Sequence, residues 1–293
     1  MDEQEWLTEQ FEEHRGRLRA VAYRMLGSVS EADDAVQDAW LRLRRTDGGT
    51  VENIGGWLTT VVARVCLNML RSREQRREEP LDLRMPEPII SQESGGDPEH
   101  EAVLANSVGL AILVVLETLT PAERLAFVLH DMFAVPFEEI ADLIERSPAA
   151  TRQLASRARR RVQGQAPVPD PDLGRQRRVV DAFFAAARHG DFDALVAVLD
   201  PDVVLRADGG ARGSGSVVIA GAPTVAGQAI LFGRLSQFAR PALINGAAGI
   251  IATTPRGPLS VMAFTVTGGR IVAIDVLSDP DRLHQLDLDA LDA

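Results

Sequence analysis

Lysine is missing from this chain: its 293 residues carry 31 basic side chains, all arginine, against 42 acidic ones, for a net charge of −11. Nucleic-acid coating by a broad positive field is thereby excluded, and any contact with DNA has to be local. The arginine and alanine bias reads as a genome of high GC content and implies no mechanism. Cysteine is reduced to Cys66, which rules out a disulfide within the chain and a cysteine-built zinc site, and fits a reducing cytoplasm. The start, MDEQEWLTEQ, is acidic and polar rather than basic then apolar, and no apolar run approaches the length of a bilayer span. A cytoplasmic protein with no membrane contact, no metal and no cofactor is expected. Glutamate is absent from Arg175 onward, where the composition changes sharply.

What is present is most legible over 133–162, FAVPFEEIADLIERSPAATRQLASRARRRV. Pro136 suits a first helical position, and Phe137, Ile140, Ala141 and Ile144 form one apolar stripe. Glu145-Arg146 makes a turn, and Ser147-Pro148 starts a second helix with a capping oxygen followed by proline. In that helix Thr151, Ala155, Ala158 and Val162 share a face. Arg152, Gln153, Ser156, Arg157 and Arg160 point away from it, and arginine forks and glutamine amides are the groups that read base edges in a major groove. The unit reads as a helix-turn-helix.

Before it, the spacing predicts an amphipathic helix over 6–26 ended by Gly27, then a second opened by Ser30 with Asp33, Asp34, Gln37 and Asp38 on its polar side. A third helix is expected over 51–73, where Trp57 is followed by Arg64, Arg71, Arg73, Arg76 and Arg77; a basic groove beside an aromatic can hold an unstacked single strand, and packing of Trp57 in the core is the alternative. Residues 79–106 read as a linker whose stretch 83–90 is too apolar for a free tether, so part of it is expected to dock. Helices resume over 107–119, and Thr120 caps the next. A second linker, 164–174, precedes helices over 175–189 and 191–199. Strands follow over 203–207, 217–220, 242–245, 250–252, 259–267 and 271–277, with a Gly268-Gly269 hairpin. This last region is expected to be α+β with a curved antiparallel sheet.

Three of these stretches together resemble a bacterial RNA polymerase sigma factor of the extracytoplasmic-function group: SEADDAVQDAWLRL its region-two clamp-docking helix, IGGWLTTVVARVCLNMLRSRE its promoter-melting helix, and VPFEEIADLIERSPAATRQLASRARRRV its region-four recognition unit. The tail resembles a SnoaL-like domain of the nuclear-transport-factor-like superfamily, a cone with a pocket. The resemblance implies two all-α modules followed by that cone: region two over 1–78, the linker over 79–106, region four over 107–163, a second linker over 164–174 and the SnoaL-like domain over 175–293. It implies core polymerase contacts at Asp33, Asp34, Gln37 and Asp38, melted-element contacts at Asn53, Trp57, Arg64 and Arg71, and upstream-element contacts at Arg152, Gln153, Ser156, Arg157 and Arg160. Members with this tail carry a Trp-Leu-Pro-Glu-Pro linker motif, an Asp-Gly-Gly-Gly-Arg motif and an Asn-Pro-Asp-Lys-Leu motif. Met85-Pro86-Glu87-Pro88, Asp208-Gly209-Gly210-Ala211-Arg212 and Asp279-Pro280-Asp281-Arg282-Leu283 stand at those places. They make Pro86, Glu87, Pro88, Asp208, Gly209, Gly210, Arg212, Asp279, Pro280 and Asp281 the expected regulatory contacts, with the tail as an intramolecular partner.

The expected function is promoter-specific initiation without catalysis. A helix-turn-helix regulator with a ligand-sensing or enzymatic tail is the alternative, with a small ligand in the pocket and Asp208, Arg212, Asp275 and His189 as the acid, base and polar candidates.

Overall fold

Helices α1 (Glu3–Leu26), α2 (Val29–Leu43) and α3 (Ile54–Arg76) open the chain in the computed structural model, which describes residues 3–45, 53–76, 85–91, 109–210, 215–255 and 257–286. Gly27, at φ 67°, ends α1 and leaves Ser28 extended, so Ser28 rather than Ser30 caps α2 by accepting the Glu31 amide. Asn53 caps α3, its Oδ1 accepting the Gly56 amide at 2.9 Å. Leu18, Met25, Leu26, Leu43, Leu58 and Leu67 are fully buried. Burial of this kind stabilises the fold by about 1.5–3 kcal/mol per side chain.

Next come α4 (Leu110–Glu117) and α5 (Pro121–Phe127), the latter running on into a π-helical turn, Val128–Met132. Thr120 and Glu123 form a reciprocal capping box at the start of α5. The helix-turn-helix is α6 (Phe137–Ile144) and α7 (Pro148–Gln165). Pro136 lies one place earlier than expected: at ψ 144° it is the extended cap of α6, not its first helical residue. Glu145, left-handed at φ 55°, turns the chain, and the Ser147 hydroxyl accepts the Ala150 amide. Thr151, Ala155, Ala158 and Val162 are buried, as their spacing requires.

Among the described residues, 3–45, 53–76 and 115–165 form one compact unit, so the α1–α3 bundle and the helix-turn-helix belong together. Arg124 joins them. Only 2% of its side chain is exposed, and it donates to the carbonyls of Met25 (2.6 Å) and Leu116 (2.8 Å) while pairing with Glu117 (2.9 Å). Both carbonyls lie in the last turn of a helix, where acceptors outnumber intrahelical donors; that of Leu116 also accepts the Leu119 amide at 3.1 Å. Phe133 makes a second joint: the Arg17 guanidinium donates to its carbonyl, and the Arg24 guanidinium lies 4.9 Å from its ring centroid. Burial holds the Arg24 pKa down, at about 10.

The second unit, described over residues 85–91, 109–114, 166–210, 215–255 and 257–286, is α+β. Helices α8 (Leu173–His189), α9 (Phe192–Val198) and α10 (Ala222–Phe232) accompany a seven-stranded sheet in the order β1-β4-β5-β6-β7-β2-β3. The strands are β1 (Ile90–Ser91), β2 (Leu199–Asp208), β3 (Ser216–Ala220), β4 (Ala239–Ile244), β5 (Ala247–Thr254), β6 (Gly257–Thr267) and β7 (Arg270–Leu277). The sheet is mixed rather than antiparallel, because β2 pairs with β7 in parallel. Side-chain alternation reports which face a residue occupies, not the direction of the neighbouring strand. The helix α10 was not anticipated. Its sequence, APTVAGQAILF, is apolar almost throughout and carries no helical stripe to announce it. Val180, Phe183, Leu195, Val203, Val225, Ile250, Phe264 and Ile274 belong to the core between helices and sheet, and the rings of Phe183, Phe184 and Phe264 lie 5.5–5.7 Å apart.

Candidate functional site

Along α2 the buried residues Ala32, Ala35, Val36, Ala39 and Leu43 fix which side faces outward. Asp33, Asp34 and Gln37 are exposed and Asp38 half-buried. Arg19 grips Asp33 through two hydrogen bonds, 2.7 and 3.1 Å, and Arg42 pairs with Asp38 at 2.8 Å. The acidic face thus stands in solvent, with Asp34 the carboxylate that has no ion-pair partner among the described residues. Trp40 is half-buried, its ring 4.9 Å from that of Phe11.

On α3, Arg64 and Arg71 are exposed and Trp57 is half-buried, with part of its surface packed and part accessible. Asn53 has a structural task as the helix cap. Arg73 leaves the expected basic cluster: it donates to the Leu26 carbonyl and pairs with Glu31, closing the end of α1 against its own bundle. Arg77 lies outside the described residues.

Arg152, Gln153, Arg157 and Arg160 are exposed on α7 and Ser156 is half-buried. The face is presented together, but its arginines are engaged. Arg152 pairs with Glu138 at 2.8 Å and Arg157 with Glu123 at 3.3 Å, while Arg160 donates to the Ser156 carbonyl. Phe137, expected in the apolar stripe of α6, is half-buried: its ring stacks on His130 at 3.7 Å, and the Arg152 guanidinium lies 5.6 Å from its centroid.

In the second unit the expected regulatory residues converge on one place. Asp208 ends β2; its Oδ2 accepts the Met85 amide (3.0 Å) and Arg282 Nη1 (2.7 Å), and its Oδ1 accepts the Gly210 amide (3.1 Å). Arg282 also donates from Nη2 to the Met85 carbonyl. One residue of the linker is therefore held by both of its backbone groups, a grip indifferent to its side chain. Pro86 and Pro88 are buried and Glu87 half-buried. The Ile89 amide donates to Asn245 Oδ1 at 3.0 Å, the Asn245 amide to the Ile89 carbonyl at 2.8 Å, and β1 then pairs with β4. Asp279 caps the short helix α11 (Pro280–Leu283) by accepting the Asp281 amide. It also lies against Gly210, at φ 67°, where a Cβ would collide with the Asp279 carboxylate. Only glycine fits there. Gly209 donates to the Gly215 carbonyl. Arg212 lies outside the described residues.

The acid and base candidates for an enzymatic tail have other partners. Asp208 is consumed by the linker, His189 Nδ1 bonds the Ala185 carbonyl, and Asp275, 1% exposed, pairs with Arg206 at 3.0 Å. Burial pushes the Asp275 carboxyl up from its ordinary value, and Arg206 opposes that shift. The cluster between helices and sheet is apolar. Sequence reasoning missed Arg124, Asn245 and Asp170. Asn245-Gly246 carries a hairpin signal that would have found the second; Asp170, whose carboxylate accepts the Gly268 and Gly269 amides, stands in a proline-rich stretch with no such mark. No described helix is long and apolar enough to cross a membrane.

Comparison with known proteins agrees with this geometry. Family models for Sigma-70 region 2 and Sigma-70, region 4 match residues 10–77 and 109–162. The chain is similar to the ECF RNA polymerase sigma factor SigJ of Mycobacterium tuberculosis, 39% identical with 93% of this chain and 92% of that one covered. The probable ECF RNA polymerase sigma factor SigI of the same species is 36% identical, with 93% of each covered. The crystal structure of M. tuberculosis SigJ superposes with a TM-score of 0.79 at 36% identity, covering 96% of this chain and 99% of that one.

Proposed function

The chain belongs to the extracytoplasmic-function RNA polymerase sigma factors and directs promoter-specific initiation of transcription, and from that premise we propose how its surfaces divide the task. The exposed acidic face of α2, with Asp33, Asp34, Gln37 and Asp38, meets a basic surface of core polymerase, where complementary charge speeds encounter and fixes orientation. Trp57, Arg64 and Arg71 on α3 hold the melted promoter element, with Asn53 setting where that helix starts. Arg152, Gln153, Ser156, Arg157 and Arg160 read the upstream duplex. The observation that carries this reading is the outward face of α7, basic and rich in donors while the opposite face is buried in the same unit.

The C-terminal unit acts as an intramolecular regulator. Support comes from the hold of Asp208 and Arg282 on Met85, a residue of the segment that connects the two sigma modules in sequence. A tethered partner at high effective concentration needs only weak affinity to stay engaged. The apolar core behind the sheet supports a packing role for the tail better than chemistry, and any small ligand bound there would be apolar.

Run-off transcription with core polymerase tests the assignment. The wild-type chain should initiate at its promoter, Arg152→Ala should lose preference for the upstream element, and deletion from Ala166 onward should change the rate. Initiation that is indifferent to both changes would overturn the division of labour.

A further inference from the structure

Glu138 and Glu139 occupy the first turn of α6, and both are exposed. In a helix-turn-helix the first helix crosses the DNA backbone, and a helix N-terminus ordinarily attracts phosphate. Here that end carries two carboxylates. One of them, Glu138, pairs at 2.8 Å with Arg152, at the start of the reading face of α7, while Phe137 and His130 stack behind the guanidinium. The side chains of Arg152 and Glu138 are 55% and 63% exposed, so solvent screens the pair and it exchanges readily.

We infer that Glu138 is a specificity-determining residue for the upstream element: it holds Arg152 when no DNA is bound and disfavours every duplex that does not offer the guanidinium a better acceptor. The inference rests on the reading of α7 given above. Any acceptor on DNA must displace a carboxylate already in place. A single phosphate oxygen gains little by that exchange and brings its own charge toward Glu138 and Glu139. A guanine edge presents O6 and N7 in the plane of the guanidinium and replaces the carboxylate with two hydrogen bonds. The pair therefore subtracts more from non-specific binding than from specific binding, which is how discrimination rises without a new base contact.

The test uses holoenzyme assembled from the full chain and core polymerase. Binding to a promoter fragment, and to the same fragment with the upstream element scrambled, is measured over a range of salt. Glu138→Gln should tighten binding to the scrambled fragment about threefold or more and lower the specific-to-scrambled ratio. Its logarithmic salt dependence should steepen by about one unit as Arg152 becomes available to phosphate. Glu138→Asp should restore the wild-type ratio, and Arg152→Ala added to Glu138→Gln should abolish the change in slope. An unchanged ratio and slope for Glu138→Gln, with discrimination lost in Arg152→Ala, would overturn the role of Glu138 alone. Discrimination unchanged in Arg152→Ala would overturn the reading of α7 and this inference with it.

Discussion

The backbone amide of Met85 donates to Oδ2 of Asp208 across 123 positions of sequence. Arg282 completes the contact by pairing with the same carboxylate and donating to the Met85 carbonyl. Asp208→Asn keeps the shape and removes the charge, leaving a largely buried guanidinium without its counter-ion. A loss of about 3 kcal/mol is expected for breaking such a pair, together with faster hydrogen exchange at the Ile89 amide and an altered transcription rate. Exchange at Ile89 as slow as in the wild type would show that Asp208 does not hold the linker.

Arg124 should matter more than its single charge suggests, because it completes the hydrogen bonding of the Met25 and Leu116 carbonyls and neutralises Glu117. Arg124→Ala leaves the Glu117 carboxylate without this counter-ion and removes one donor from each carbonyl, that of Leu116 keeping the Leu119 amide. Urea unfolding of the full chain should show a loss of about 3–5 kcal/mol, the usual cost of removing one partner of a buried pair. A loss below about 1 kcal/mol would place these groups in contact with water, contrary to the geometry.

On the acidic face of α2 the carboxylates are not equal. Asp33 and Asp38 must give up Arg19 and Arg42 before they meet a partner, whereas Asp34 need not. Asp34→Asn should therefore weaken holoenzyme assembly more than either other single change, and the triple asparagine variant more again, with the differences shrinking as salt rises. Wild-type affinity of the triple variant at moderate salt would remove α2 from the polymerase interface.

Asp170 provides a pH signature. The Gly268 and Gly269 amides, then Arg175, favour its ionised form and hold its pKa below the ordinary 3.8. A carboxyl with a depressed folded pKa contributes stability that is present above the unfolded value and is lost as pH falls through the folded one. Asp170→Asn should flatten the acid limb of a plot of Tm against pH and leave the neutral region nearly parallel to the wild type. Titration of the Asp170 carboxyl by NMR at or above 3.8 would remove the basis for this.

Helix α7 was legible because proline, serine and a buried stripe all mark the same start and face. The strands of the tail were legible by their β-branched residues and flanking glycines. Their direction was not, since the parallel pairing of β2 with β7 leaves no trace in alternation. Pairing partners of individual arginines were equally hidden: Arg73 and Arg71 are two residues apart on one helix, yet Arg73 is committed to Leu26 and Glu31 while Arg71 stands exposed. The apolar stretch 83–90 announced that it docks, and the aspartate-glycine motif announced a surface. The hold on Met85 runs through its backbone, which no side-chain pattern records.

Strand β1 has a consequence for the order in which the molecule is completed. Ile90 pairs with Ile244, a residue synthesised 154 positions later. At about 5–20 residues per second, translation leaves the linker waiting roughly 8–30 s for its partner strand. Both sigma modules have emerged by then, so the sheet closes onto a segment whose flanking helices can already be folded. A nascent chain that stalls between the two modules and the tail would carry both helical modules with the linker segment 90–91 still lacking its partner strand.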